Sequence, residues 1–252
     1  MKGLSSKTIL EHHRLLHAML QNAVYWQIIP YNPAHRVKPP KHQRPQIKYY
    51  DDIQCKQLLE ALEHEEIKFQ TIVILTLFTG MRRGEVLGLE WSDIDFDNGF
   101  VHITKASQYT SEKGIFVKNP KTQSSIREVG IPDIVINILK KYRTWYEAEK
   151  EKCGNLWINS NRLFVTWNGS PMHPDTVTDW FRSFIEKNNL PKITFHGLRH
   201  TNATLLISKN VDVAVVASRL GHAQITTTLN FYVHPVQSHN KEAGQVLEKL
   251  LV

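Results

Sequence analysis

The sequence predicts an α+β fold that is mainly helical and contains a small antiparallel sheet. Apolar residues recur at helical spacing over most of the chain, which favours several packed helices. Short strand-like stretches cluster between residues 100 and 129, where they predict the sheet. A hydrophobic share of 41% with 22% charged residues is typical of a globular protein, and 252 residues suffice for one large domain or two.

The first 45 residues predict one amphipathic helix followed by a basic segment. Ser5 or Ser6 can cap the helix, which should end before Pro30. Its apolar stripe consists of Ile9, Leu16, Met19, Leu20, Ala23 and Val24. One helix cannot bury its own stripe, so we expect it to pack either within a further helical domain or on the rest of the chain.

The sequence pattern from Asp51 to Arg82 predicts two helices of the core and a turn after the second helix. A helix capped by Asp51 or Asp52 comes first. Its expected buried residues are Ile53, Leu58, Leu59 and Leu62. The next helix is apolar on all sides from Ile72 to Phe78, so it should lie at the centre of the core and end at Gly80. A rigid buried helix would therefore hold Arg82 in the turn after it.

Strands and further helices complete the predicted domain. A turn at residues 97–99 precedes strands near residues 100–106, 115–117 and 125–129. Later elements are a helix from Pro132 to about Lys150 that buries Ile134, Ile138, Leu139 and Tyr142, a strand at Leu163–Val165, and a helix at Asp175–Lys187. The tail after Asn240 has an apolar stripe of Ala243, Val246, Leu247, Leu250 and Leu251, which must dock on its own domain or on a neighbouring molecule.

Groups suited to phosphate chemistry are concentrated between residues 194 and 232. His196 and Arg199 would share one face of a helix, because residues three and four positions apart are neighbours there. Gly221 should end a later helix and present His222. Arginine offers a planar fork that matches two phosphate oxygens, histidine can move a proton, and a tyrosine hydroxyl can be a covalent nucleophile.

These residues and their spacing resemble the tyrosine recombinase (phage-type integrase) family. In that family a His-x-x-Arg box is followed by a Gly-His pair and then by the nucleophilic tyrosine. Here the box is His196 to Arg199, the pair is Gly221 and His222, and the tyrosine, ten residues after His222, would be Tyr232. An earlier box, Thr-Gly-x-Arg-x-x-Glu, is present from Thr79 to Glu85. Both boxes occur in the family's order, and the resemblance covers about residues 50–235. Asn202 lies where many relatives carry another histidine or an aromatic residue.

The resemblance implies the fold of a DNA breaking-rejoining catalytic domain and a role for each matching residue. The catalytic set would be Arg82, Lys121, His196, Arg199, His222 and the nucleophile Tyr232, with Glu85 supporting Arg82. The arginines would hold the phosphate oxygens, and the histidines would assist proton transfer. Lys121 would be the general acid, although Lys118 is a near alternative on the same predicted hairpin. No metal or other cofactor is expected.

The resemblance also implies the domain organisation and the partners. Residues 1–45 would be the C-terminal remnant of a helical, SAM-like core-binding domain plus a basic linker, and residues 46–252 the catalytic domain. Lys38, Lys41, Arg44 and Arg83 are the expected DNA-contacting residues. The partners would be double-stranded DNA, three further copies in a tetramer on DNA, and an accessory DNA-bending or directionality protein. Integration or excision of a phage or mobile element would be the outcome.

Composition agrees with this hypothesis and narrows the cellular setting. The formal net charge is +7 and the pI is near 9.3, a sign that suits a phosphate-bearing partner. Cys55 and Cys153 form no disulfide framework, and no apolar run approaches the length of a membrane span, so we expect a cytoplasmic protein. Two alternatives remain open: a type IB topoisomerase-like enzyme, and a non-catalytic DNA-binding relative.

Overall fold

A computed structural model describes residues 3–41, 48–118, 125–222 and 224–226. The chain divides into two compact units, Met1–Gln46 and Ile47–Val252. The division lies one residue after the domain boundary that we expected from the sequence. In the described part of the chain, no helix combines the length and hydropathy that a membrane crossing requires.

The smaller unit consists of helix α1 (Ser6–Tyr25) and a short 3-10 turn at Pro33–Arg36. Ser5 caps α1, because its side chain accepts a hydrogen bond from the backbone N–H of Thr8. Asn32 connects the two elements: its Nδ2 donates to the His17 carbonyl at 3.0 Å, and its Oδ1 caps the 3-10 turn. A buried asparagine therefore sets the path of the chain after α1.

Seven helices make up most of the larger unit in the described residues. They are α2 (Asp52–Leu62), α3 (Ile67–Thr79), α4 (Arg83–Gly88), α5 (Asp133–Cys153), α6 (Pro174–Lys187), α7 (Phe195–Ser208) and α8 (Val213–Leu220). Helix α3 is apolar on every side and packs against both α5 and α7, so it is the centre of the core. It ends at Gly80, whose φ of 68° is the left-handed conformation that glycine adopts without strain.

Two small antiparallel sheets lie beside these helices. The strands are β1 (Ile94–Asp95), β2 (Phe100–Ile103), β3 (Ala106–Thr110), β4 (Gly114–Lys118) and β5 (Arg127–Gly130). The first sheet has the order β1-β2-β5, with buried Val101 paired to buried Val129. The second sheet is the β3–β4 hairpin, and β3 packs on α4. The α+β, mainly helical fold class that the sequence predicts is confirmed, with two small sheets in place of one.

Some local predictions were wrong. Leu163–Val165 is not a strand: Val165 forms an isolated bridge to Pro171, and the neighbouring Arg162 bridges to Glu90. Ile53 and Ile134 are 64% and 48% exposed, although both were expected in the core. Each occurs near the first turn of its helix, where the buried positions are taken by other apolar side chains.

Candidate active site

The turn between α3 and α4 places Arg82 at the N-terminal end of α4. Its backbone N–H donates to Glu85 Oε2 at 2.8 Å, and its Nη1 donates to Glu85 Oε1 at 2.8 Å. Its Nη2 also donates to the Gly221 carbonyl at 3.3 Å. The Arg82 side chain remains 41% exposed, so it is oriented by the protein while part of it faces solvent.

Arg199 comes from the first half of α7 and is held differently. The residue is only 2% exposed, and its Nη1 donates to the Gly80 carbonyl at 2.7 Å. Gly80 is the residue that ends α3 and begins the turn to Arg82. One residue therefore connects the two arginines, because its carbonyl accepts from Arg199 and its chain leads directly to Arg82.

Three histidines surround these arginines. Burial, followed by the charges of Arg199 and Arg82, lowers the pKa of His196. Burial and the neighbouring His196 and Arg199 lower the pKa of His200 to about 4. Burial is the largest cause that lowers the pKa of His222 to about 4, and the charges of Arg199 and Arg82 lower it further. All three imidazoles are therefore neutral near pH 7, and each can donate one hydrogen bond and accept another.

Gly221 presents His222 at the end of α8. Its φ is 67°, and a Cβ at this position would lie 2.7 Å from Nη1 of Arg127. Glycine is therefore required here both by the backbone conformation and by the guanidinium packed against it. The Gly-His pair that the sequence singled out is built into the turn that faces Arg82.

Arg127, at the start of β5, is a functional candidate that the sequence analysis missed. Its Nη1 and Nη2 donate to the two carboxylate oxygens of Glu85 at 3.2 and 2.9 Å, and its Nε donates to the Arg219 carbonyl at 2.7 Å. Burial alone would raise the pKa of Glu85, but the hydrogen bonds and charges of Arg127 and Arg82 outweigh it and lower that pKa. The Arg127 side chain is only 6% exposed, so this is a buried ion pair.

Asn202 and Arg219 complete the surroundings of the site. Nδ2 of Asn202 donates to the carbonyls of Leu77 and Phe78 at 2.8 and 3.2 Å. Nη2 of Arg219 donates to the Phe78 carbonyl at 2.7 Å and to the Gly130 carbonyl at 3.0 Å. Both side chains therefore satisfy carbonyls at the C-terminal end of α3, where the helix itself leaves them unpaired.

The structure brings together five of the predicted site residues: Arg82, Glu85, His196, Arg199 and His222. Lys121, Tyr232 and Arg44 lie outside the described residues. Lys118, the alternative to Lys121, is the exposed last residue of β4.

Three of the predicted DNA-contacting residues, Arg83, Lys38 and Lys41, are in the described part of the chain. Arg83 donates from Nη1 to Oδ1 of Asp175 at 3.1 Å and to Oγ1 of Thr178 at 2.5 Å, so it connects α4 to α6. Lys38 and Lys41 are exposed residues of the smaller unit. In the described ranges, no three His, Cys, Asp or Glu side chains are placed to hold a metal ion.

The chain is similar to known proteins over most of its length. Residues 48–239 match the model of the phage integrase family. The chain is 30% identical over 268 residues to a XerC-like tyrosine recombinase of Caldanaerobacter subterraneus subsp. tengcongensis, covering 100% of this chain and 68% of that protein. It is 28% identical to the ICEBs1 integrase of Bacillus subtilis, covering 99% of this chain and 67% of the relative.

A solved structure is similar over nearly the whole chain. The Tn1549 transposon integrase in complex with transposon right end DNA superposes with a TM-score of 0.83 at 26% identity, covering 99% of this chain and 81% of that one. The match to the family model extends over more than half of the chain and includes every residue of the group around Arg82 and Arg199. The chain therefore belongs to the phage integrase family and is a tyrosine-type site-specific recombinase.

Proposed function

We propose that this chain cuts and rejoins duplex DNA through a covalent bond between Tyr232 and a 3′-phosphate. The hydroxyl oxygen of Tyr232 gives up its proton and attacks the phosphorus atom. The bond from phosphorus to the 5′-oxygen breaks, and the 5′-oxygen takes up a proton and leaves as a 5′-hydroxyl. Attack by a 5′-hydroxyl of another strand reverses the step and rejoins the DNA. The observation that carries this proposal is that Arg82 and Arg199 both lie close enough to His196 and His222 for their charges to lower the pKa of each histidine, while the Arg82 side chain is 41% exposed.

The two arginines would bind the non-bridging oxygens of the phosphate. Their guanidinium groups stay protonated and match the phosphate geometry, so they can stabilise the negative charge that develops in the transition state. Removing one such donor in other enzymes costs roughly 10²- to 10³-fold in rate. Glu85 would support this function by orienting Arg82 through two contacts.

Proton transfer would be shared by Lys121 and the histidines. In the proposed mechanism Lys121 donates a proton to the leaving 5′-oxygen, while His196 and His222 bind the phosphate and assist. The lowered pKa values of both histidines favour neutral imidazoles, which donate hydrogen bonds to a phosphate oxygen without adding charge. The phosphotyrosyl bond retains the energy of the broken bond, so this mechanism requires no nucleotide cofactor.

Double-stranded DNA is the proposed partner, bound by a tetramer of this chain and aided by an accessory DNA-bending or directionality protein. The structural similarity to a DNA-bound transposon integrase and the net charge of +7 support DNA binding. We assign residues 1–45 to a core-binding domain and linker, in which Lys38, Lys41 and Arg44 contact phosphates. Residues 46–252 would be the catalytic domain, with Arg83 as a further phosphate contact.

The nucleophile can be tested by trapping the covalent intermediate. The probe is a suicide duplex, nicked beside the scissile phosphate, whose sequence is taken from the DNA that flanks the gene for this chain. Wild-type protein should form a covalent adduct, and Tyr232→Phe should form none while it retains binding, because the phenyl ring lacks the attacking oxygen. Tyr109→Phe is the matched control, since Tyr109 is a 49% exposed tyrosine of the same domain. Adduct formation by Tyr232→Phe would refute the assignment.

A further inference from the structure

Glu85 pairs with two arginines at once, and its carboxylate oxygens are divided between them. Oε1 accepts from Nη1 of Arg82 at 2.8 Å and from Nη1 of Arg127 at 3.2 Å. Oε2 accepts from the backbone N–H of Arg82 at 2.8 Å and from Nη2 of Arg127 at 2.9 Å. Every contact of the carboxylate to Arg82 is therefore balanced by one to Arg127.

The two arginines differ in what else they can reach. The Arg82 side chain is 41% exposed, whereas the side chain of Arg127 is 6% exposed and lies behind Glu85. Nε of Arg127 is committed to the Arg219 carbonyl, and its Nη1 also lies 3.3 Å from the Ser125 carbonyl. Each nitrogen of the Arg127 guanidinium group therefore donates to a protein acceptor, and Arg82 is the exposed member of the pair.

The net charge of Arg82, Arg127 and Glu85 explains how Arg127 can affect the binding of a phosphate by Arg82. Two guanidinium groups and one carboxylate leave a net charge of +1 for Arg82, Arg127 and Glu85. Without Arg127, Glu85 and Arg82 would form a neutral pair, because the carboxylate would be left with Arg82 as its cationic partner. Such a pair attracts a phosphate less strongly, since the attraction depends on the charge that the guanidinium presents.

We propose that Arg127 is a positioning residue for the recombination reaction: its positive charge offsets the negative charge of Glu85, so that the charge of Arg82 is left to attract the scissile phosphate. This inference rests on the proposed function, in which Arg82 binds that phosphate. Arg127 also connects Glu85 to the end of α8, because it donates to the Arg219 carbonyl and packs against Gly221. It therefore positions the residue before His222 as well as Arg82.

The test compares the single-turnover cleavage rate with the dissociation constant on the suicide duplex. Arg127→Gln should reduce the cleavage rate about 100-fold, at the lower end of the loss seen when one transition-state donor is removed. Its dissociation constant should change less than about threefold, because one phosphate contact among many contributes little to affinity.

A double variant separates a charge effect from a structural one. Arg127→Gln combined with Glu85→Gln removes one positive and one negative charge, which restores the net charge of +1 on Arg82. We expect the double variant to cleave at least tenfold faster than Arg127→Gln alone. If Arg127 only holds β5 against α4, the second substitution should lower the rate further, and that result would overturn the proposal.

Arg162→Gln is the matched control. Arg162 is 5% exposed and donates from Nη1 to the Gly88 carbonyl of α4 at 2.6 Å, so it is a buried arginine bound to the same helix without the Glu85 pair. Its substitution should lower thermal stability as much as Arg127→Gln does and leave the cleavage rate of the folded protein within about threefold of wild type. If Arg162→Gln lowers the cleavage rate as much as Arg127→Gln does, both losses are effects of packing, and the proposal is wrong.

Arg127→Lys keeps the proposal testable if Arg127→Gln does not fold. Lysine retains the charge but not the fork, so the cleavage rate should stay within about tenfold of wild type, and a loss as large as that of Arg82→Ala would contradict the charge argument. Failure of the wild-type protein to form any adduct would refute the proposed function itself. Normal wild-type cleavage combined with an unaffected Arg127→Gln would refute only the inference about Arg127.

Discussion

The two active-site arginines are held by different kinds of interaction. Arg82 is oriented by the carboxylate of Glu85 and stays 41% exposed. Arg199 is 2% exposed and is anchored to the Gly80 carbonyl at the end of the most buried helix. Arg82 is thus positioned by a charged pair, and Arg199 is positioned by the core. The difference suggests that catalysis and stability are coupled at Arg199 but separable at Arg82.

The largest expected effect tests this separation directly. Arg82→Ala and Arg199→Ala should each slow cleavage roughly 10²- to 10³-fold, because each removes a donor to the transition state. Arg199→Ala should also lower the free energy of unfolding by about 1–3 kcal/mol, since the buried Gly80 carbonyl loses its charged donor. Cleavage rates and urea denaturation measure the two effects. Exposed Arg182→Ala is the control, and equal stability losses in both active-site variants would contradict the comparison.

Gly80→Ala should damage both regions, because Gly80 joins them. An alanine Cβ would lie 2.5 Å from Leu220 Cδ2 and 2.9 Å from Asn202 Oδ1, at a φ of 68°. We expect a loss of about 2–3 kcal/mol in the free energy of unfolding, from left-handed strain plus crowding, and a reduction of about tenfold in cleavage rate. Denaturation and single-turnover kinetics check both values.

Gly114→Ala is the matched control for this substitution. Gly114 has a φ of 65°, but a Cβ there would meet no atom within 4 Å. Gly114→Ala should lower the free energy of unfolding by only about 1–2 kcal/mol, which is the cost of a left-handed backbone for alanine, and should leave the cleavage rate unchanged. A Gly80→Ala protein that is no less stable than Gly114→Ala would show that the space around Gly80 adapts, and that the two arginines are not coupled through it.

The smallest expected effect concerns pH. His200 and His222 have pKa values of about 4 in the folded protein, below the usual value of about 6.5. The unfolded chain therefore takes up protons first on acidification, so the stability of the DNA-free protein should be complete above about pH 6.5 and fall towards pH 4. Denaturation midpoints between pH 4.5 and 7, in wild type and His222→Gln, measure this slope.

The same titration sharpens the comparison of the arginines. The charge of Arg199 lowers the pKa of His222 more than the charge of Arg82 does, and burial contributes more than either. Arg199→Ala should therefore reduce the pH dependence of the stability of the DNA-free protein more than Arg82→Ala does. The reverse order, or a His222→Gln protein with the wild-type slope, would mean that His222 does not carry this dependence.

Much of the fold was predictable because it depends on local patterns. The run of apolar residues from Ile72 to Phe78 predicted a central helix, and Gly80 predicted its end. Asp51, one of the two expected capping residues, caps α2. The strand expected at Leu163–Val165 failed because a short apolar stretch does not show whether a partner strand lies beside it.

The sequence alone determined which residue types meet in the site, because His-x-x-Arg, Gly-His and the box from Thr79 to Glu85 are contiguous motifs. Only the tertiary structure decided how they are held. Arg127 contacts Glu85 across 42 residues and Arg219 across 92, and Arg199 reaches Gly80 across 119. Periodicity shows which positions are buried, but buried polar groups must each find a partner, and the folded core determines which partners lie within reach.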